Sequence, residues 1–245
     1  MLYWLANLLF QSDFIKDINE ILKSKNKLIV FDIGCYKGVF SQKILNSLKR
    51  KIKHMYLFDI NKKVKTYIKN LSKQKNVSYN EVALSNNSGF STYNYNNFFE
   101  SAGSSLSELV RNDKKWNFSR KILIGNFNNK DEEYTKYKVK TTTLDIFVKV
   151  NKIKYIDICK VDIEGSELDF LKGSKETLKK NKIKILAIEI LENKRNFFKK
   201  EIKIIGLLKK NNFQLIKKSD IKSVSFLSNL KGCDYLFLNN KFKTN

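Results

Sequence analysis

The sequence predicts an α/β fold: a mostly parallel sheet with helices on both faces and an antiparallel edge. Three observations carry this. Short apolar runs alternate with segments of helical apolar spacing through most of the chain. Several runs end in an acid or a glycine, as at Asp32-Ile33-Gly34, Asp59 and Asp162, and such endings mark the ligand-binding edge of an open α/β sheet. The last two runs, Phe213–Ile216 and Tyr235–Leu238, lie close together and suit an antiparallel edge.

The elements follow in order. Apolar residues Phe14, Ile15, Ile18, Ile21 and Leu22 extend the opening Met1–Phe10 run at helical spacing, so residues 1–27 read as an amphipathic helix lying on the domain. Met1–Phe10 lacks a basic start, a cleavage site and the length to span a bilayer, and a cytoplasmic location is expected. Residues 28–245 form the main domain. Leu28–Ile33 is the first strand and Val39–Leu48 its helix. Met55–Phe58 is the second strand, followed by a lysine-rich helix to Leu71, and Val77–Leu84 is the third. Residues 85–140 form a long irregular stretch holding two strand-like runs, Phe90–Tyr95 and Tyr134–Thr141. Loops of this length are usually functional or disordered, so a cap or acceptor-side insertion is expected. Leu144–Val150 is a helix, Tyr155–Asp162 the fourth strand, Ser166–Lys179 a helix, Ile183–Ile190 the fifth strand and Asn196–Lys210 a helix.

Composition admits one full α/β core and excludes a disordered chain, with 42% hydrophobic and 13% aromatic residues. The net charge of +24 invites a polyanion partner. Only Arg50, Arg111, Arg120 and Arg195 among the 48 basic residues are arginine, however, and nucleic-acid sites favour arginine. Lysine spread along a proline-free, asparagine-rich chain fits compositional drift better. Cys35, Cys159 and Cys233 form no CxxC or Cys/His cluster, so they read as buried thiols, with no structural zinc or disulfide.

Two constellations point to a nucleoside-bearing cofactor. Gly34 and Gly38 are spaced Gly-x-x-x-Gly after the first strand. This lacks the extra glycine of a dinucleotide loop, which disfavours a nicotinamide dehydrogenase. Asp32 repels phosphate and suits a cationic ligand. Asp59 stands where an acid takes ribose hydroxyls, or where it merely caps the next helix. Ribose, adenine and a cationic amino-acid tail together describe S-adenosylmethionine.

With these residues in view, the chain resembles the FkbM family of S-adenosylmethionine-dependent methyltransferases. The resemblance rests on Asp32-Ile33-Gly34…Gly38…Ser41, Asp59, Ala83-Leu84-Ser85…Gly89, Thr143-Leu144-Asp145, Lys160-Val161-Asp162-Ile163-Glu164-Gly165-Ser166-Glu167 and Ala187-Ile188-Glu189. It implies a Rossmann-like class I methyltransferase fold and O-methylation of a sugar, glycan or other small molecule. It also implies that Asp32, Gly34, Gly38 and Asp59 hold the cofactor, with Glu81 or Ser85 near the adenine. The family loop commonly carries Ala-Asn where this chain has Cys35-Tyr36.

For chemistry, Asp162 leads as the group that orients the acceptor or takes its proton, with cofactor contact and plain structure as its alternatives. Glu164 and Glu189 follow. A magnesium ion on Asp162 and Glu189 is chemically conceivable, but no metal is expected. His54, at the start of the second strand, lies too far from the edge to be the base. Lys160 and Glu167 read as a surface pair or, for Glu167, as first-turn helix charge. In the long insertion, Tyr93, Tyr95, Phe98, Phe99 and Trp116 are candidates to stack on a sugar, with Ser104 and Ser105 bonding its hydroxyls; a small cap core is the alternative. Competing functions are an RNA methyltransferase using the basic surface and an inactive cofactor-binding module.

Overall fold

The computed structural model describes residues 14–97, 104–109, 111–115, 118, 134–223 and 229–242. Eleven strands form two sheets: β1 (Leu28–Ile33), β2 (Ile52–Phe58), β3 (Val77–Asn80), β4 (Ala83–Leu84), β5 (Gly89–Asn96), β6 (Tyr134–Thr142), β7 (Ile156–Val161), β8 (Ile183–Asn193), β9 (Phe213–Lys218), β10 (Lys222–Ser223) and β11 (Leu230–Asn239). The main sheet runs β10-β11-β8-β7-β1-β2-β3, with β9 also paired to β11. Strands β3, β2, β1, β7 and β8 are parallel, and β11 runs antiparallel to both β8 and β9. This is the expected Rossmann-like arrangement with an antiparallel edge. The order reverses beside β1, so the crevice at the carboxyl ends of β1 and β7 is the topological switch point where such sheets bind ligands.

Both faces of the sheet are covered. Phe31, Phe58, Leu144, Phe170, Phe197, Ile204 and Tyr235 form one core, under the helices Leu144–Val150, Glu167–Lys172 and Phe197–Lys210. On the other face, Ile18, Leu22, Val30, Ile44, Leu57, Ile185 and Leu236 pack beneath the helices Ile15–Ile21 and Val39–Leu48. Residues 1–13 of the expected N-terminal helix, including Met1–Phe10, lie outside the described residues, and its expected end, residues 22–27, is turn and coil.

Three elements differ from the expected pattern. The third strand is split, because Val82 N–H bonds Asn80 O in a tight turn that carries Ala83–Leu84 out to pair with Thr141 and Thr142. The helix over 166–179 is broken at Gly173, where a Cβ would sit 1.9 Å from the Ser85 carbonyl oxygen. The lysine-rich helix after β2 is two short pieces, Val64–Tyr67 and Lys69–Ser72, separated at the buried Ile68. The smaller sheet runs β4-β6-β5. No described helix is long and apolar enough to cross a membrane.

Candidate active site

The period-2 alternation of strands builds a charged stripe. Alternate residues of β2, β1, β7, β8 and β11 (among them Leu57, Val30, Ile158, Ala187 and Leu236) face one core. Following the same alternation to one edge gives Asp59, Asp32, Lys160 with Asp162, Glu189 and Asp234. Register aligns Asp32 with Lys160 and Glu189 with Asp234. Val161 pairs with Ile188, which sets Asp162 beside Glu189. Asp32, Asp59, Asp162 and Glu189 therefore lie on one face of the sheet, at one edge.

The β1–β2 half is held mainly through backbone. Gly34 adopts φ +79°, and an added Cβ would lie 1.8 Å from the Asp162 carbonyl oxygen. Gly34 N–H donates to Phe58 O at 2.9 Å, and Asp162 N–H donates to Ile33 O at 2.9 Å. The glycine is thus required by the close approach of β7. Gly38, at φ +70°, would drive a Cβ to 2.5 Å from Leu71 Cδ1, so it seats the loop on the 64–72 segment.

Asp59 ties the loops together. Its Oδ2 accepts from Tyr36 N–H at 2.8 Å, while Oδ1 accepts from Ile60 and Asn61 N–H at 2.8 and 2.9 Å. Burial raises its pKa, and the three amide donors pull it back. A carboxylate has about four acceptor positions, so one remains for a ribose hydroxyl with this scaffold intact. Asp32 is fully buried; Ser41 Oγ donates to its Oδ2 at 2.6 Å and Lys160 Nζ stands 3.8 Å from Oδ1. Burial raises its pKa, and Lys160 and Ser41 pull it back. Glu81 is exposed and paired with Lys65, and Ser85 lies against Thr142 and Gly173.

The β7–β8 half is held by side chains. Lys160 Nζ donates to Asp162 Oδ2 at 2.9 Å. Burial opposes ionisation of Asp162, but Lys160 and a hydrogen bond from Glu189 outweigh it and hold Asp162 below the usual carboxylate range. Burial and the adjacent Asp162 and Asp234 push Glu189 well above its ordinary value. Of the pair, Asp162 therefore gives up its proton more readily and Glu189 holds its own to higher pH. Burial works against the Lys160 ammonium, yet Asp162 and Asp32 raise its pKa overall. Glu164 occupies the next turn in a left-handed conformation, φ +49°, followed by Gly165 at φ +100°.

Other residues take places the sequence did not disclose. Glu167 is no surface charge: it is fully buried, 2.6 Å from Lys200 Nζ, a residue that sequence reasoning missed. The apolar helical spacing around Lys200 gives no hint that it turns inward. Lys160 likewise pairs with Asp162 and Asp32, not Glu167. Ser105 Oγ donates to Ile163 O at 3.1 Å, and Ser104 Oγ accepts from Asn96 N–H at 2.8 Å. Ser104 thus serves the cap's own structure, and Ser105 ties the cap to the turn after β7. Tyr93 and Tyr95 are buried, in keeping with a cap core. Burial, Asp59 and Glu164 all raise the Tyr93 pKa, which places its phenol close to the site. Phe98, Phe99 and Trp116 lie outside the described residues. His54 pairs in register with Ile29, at the far end of β1, and its Nε2 lies 2.9 Å from Ser78 Oγ. Among the described residues no group of three or more His, Cys, Asp or Glu is arranged to hold a metal ion.

A family model for the methyltransferase FkbM domain matches residues 32–215. No curated protein sequence matches the chain. Among solved structures, an FkbM methyltransferase from Methylobacillus flagellatus KT is 12% identical with a TM-score of 0.49, covering 86% of this chain and 44% of that one. This chain therefore spans under half the length of that protein. The N-methyltransferase NodS from Bradyrhizobium japonicum WM9 is 8% identical with a TM-score of 0.45, covering 91% and 93%. TrmK from M. capricolum, solved with S-adenosyl-homocysteine, is 14% identical with a TM-score of 0.40, covering 91% and 68%. With the family model spanning well over half of its residues, the chain belongs to the FkbM family of methyltransferases.

Proposed function

We propose that the chain is an S-adenosylmethionine-dependent O-methyltransferase acting on a hydroxyl of a sugar, glycan or other small molecule. One observation carries this reading: Asp162 donates its backbone N–H to the carbonyl of Ile33, the last residue of β1 and the neighbour of Gly34. The acceptor group and the cofactor loop are therefore a single rigid unit.

The residues fit the cofactor. Asp59 retains acceptor capacity for a ribose hydroxyl, and the Gly34–Gly38 loop runs beside it. When bound, S-adenosylmethionine supplies a methyl group on a sulfonium, open to in-line displacement by oxygen. The chain supplies position: Asp162 accepts a hydrogen bond from the acceptor hydroxyl and Lys160 keeps that carboxylate ionised. Correct placement alone can lower a barrier by about 7–11 kcal/mol. A carboxylate held below its usual pKa is a weak base but a firm hydrogen-bond acceptor, so Asp162 orients the hydroxyl first and receives its proton as the bond forms. The carboxyl groups of Asp162, Glu164, Glu189 and Asp234 at one edge favour a neutral hydroxyl over a phosphodiester backbone.

Calorimetry with S-adenosylhomocysteine tests the cofactor half, and a screen of hydroxyl acceptors with radiolabelled S-adenosylmethionine tests the rest. Absence of binding would overturn the cofactor assignment. Methylation of tRNA with steep salt dependence would replace the acceptor assignment with the RNA reading. Binding without any methylated product would leave the cofactor-binding module.

A further inference from the structure

We propose that Glu167 and Lys200 are positioning residues that build the acceptor-side wall from beneath. The inference rests on the methyltransferase reading for its consequence in turnover; its structural part stands separately.

Both members of this buried pair grip one residue. Gly165 N–H donates to Glu167 Oε1 at 2.7 Å, and Lys200 Nζ donates to Gly165 O at 2.9 Å. Lys200 also donates to Leu191 O at 2.8 Å, near the end of β8, and stands 2.6 Å from Glu167 Oε2. Its ammonium thus bonds two backbone carbonyls and ion-pairs with one fully buried carboxylate. A surface charge pair would not be engaged in this way, and a pair serving helix packing alone has no need of both polar groups of a turn glycine.

The gripped turn is the one that needs holding. Glu164 and Gly165 are consecutive left-handed residues, a costly conformation for glutamate that persists only when its surroundings impose it. The other side of the turn receives the cap. A Cβ on Gly165 would lie 3.1 Å from both Ser107 Oγ and Leu109 Cδ2, and Ser105 Oγ bonds Ile163 O. The ion pair on the helix side and the 104–109 segment on the crevice side thus meet across one glycine. Holding that glycine holds Glu164, the end of Asp162 and the cap segment together.

The test uses the full chain carrying Lys200→Met, and the double variant Glu167→Gln/Lys200→Met. The double variant removes both charges, so it does not strand an ion in the core. Amide hydrogen exchange is read at Gly165, Ser105 and Ser107, with β1 and β7 amides as internal controls, alongside the melting temperature. The double variant is expected to melt near the wild type, yet to exchange about tenfold faster at those three amides with the control strands unchanged. S-adenosylhomocysteine affinity should stay within about twofold, and kcat should fall in the acceptor assay while KM for S-adenosylmethionine holds. Wild-type protection at the three amides in the double variant overturns the proposal. Uniformly faster exchange in every strand also overturns it, by reducing the pair to general stability. If wild-type protein fails to bind S-adenosylhomocysteine, the functional reading falls, while the exchange data still decide whether the pair positions the turn.

Discussion

Two partly or fully buried lysines, Lys160 and Lys200, sit on either side of the same turn and do opposite jobs. Lys200 is 5% exposed, donates to the Gly165 and Leu191 carbonyls and ion-pairs with Glu167. Lys160 is 15% exposed, makes one short hydrogen bond to Asp162 and stands 3.8 Å from Asp32. An ammonium tied to two carbonyls fixes backbone. One bonded to a carboxylate at a ligand-binding edge instead tunes its neighbours: it favours the anion of Asp162 and leaves Glu189 holding its proton to higher pH. Similar residue pairs therefore divide into scaffold and chemistry according to which groups their lysines bond.

The sharpest way to break the contrast is to remove each cluster in turn. Lys200→Met leaves Glu167 as an unpaired buried anion and should cost about 3–5 kcal/mol in urea unfolding, with most of it restored in the double variant. Asp162→Asn should leave the fold and S-adenosylhomocysteine affinity nearly unchanged but lower turnover by about 10²–10⁴-fold in single-turnover assays. Full methyl transfer by this variant would move the acceptor role elsewhere. Asp59→Ala should weaken S-adenosylhomocysteine binding about 10- to 100-fold by calorimetry, as expected for lost hydrogen bonds to a charged group.

The smallest effect should come from Glu189→Gln. The folded pKa of Glu189 lies above its ordinary 4.5. Its contribution to stability is thus complete below the unfolded value and withdrawn as pH rises through the folded one. Glutamine mimics the protonated acid. The variant should match wild type near pH 4.5 and gain on it towards neutrality, seen as a flatter plot of melting temperature against pH. A parallel displacement at every pH would place the proton elsewhere in the Asp162–Glu189 pair.

Much of the architecture was legible because it rests on local pattern. Leu28–Ile33 and Val39–Leu48 are the observed bounds of β1 and its helix, since apolar runs and helical spacing encode burial directly. Asp32, Asp59 and Asp162 were legible as strand-end acids, and register set them on one face with Glu189, which lies inside β8 because pairing with β11 carries that strand past the expected Ile190 to Asn193. Elements governed by distant chain were not legible. The break at Gly173 depends on Ser85 crossing it, and the split of the third strand depends on Thr141 and Thr142, more than fifty residues away.

The same division separates the roles of individual residues. Residue type and spacing were enough to announce the sheet, its binding edge, the glycine loop and the acids that line it, because alternation and turn chemistry act over a few residues. Which charges would pair was settled only by folding. Lys200 lies 33 positions from Glu167 in the chain, and nothing local marks it as its partner. Tyr36 on Asp59 and Glu189 on Asp162 are likewise meetings made by the sheet order, whereas the Ile60 and Asn61 amides reach Asp59 locally. The physical reason is that pKa and hydrogen-bond satisfaction depend on what lies within a few ångströms in space, and sequence distance does not report it.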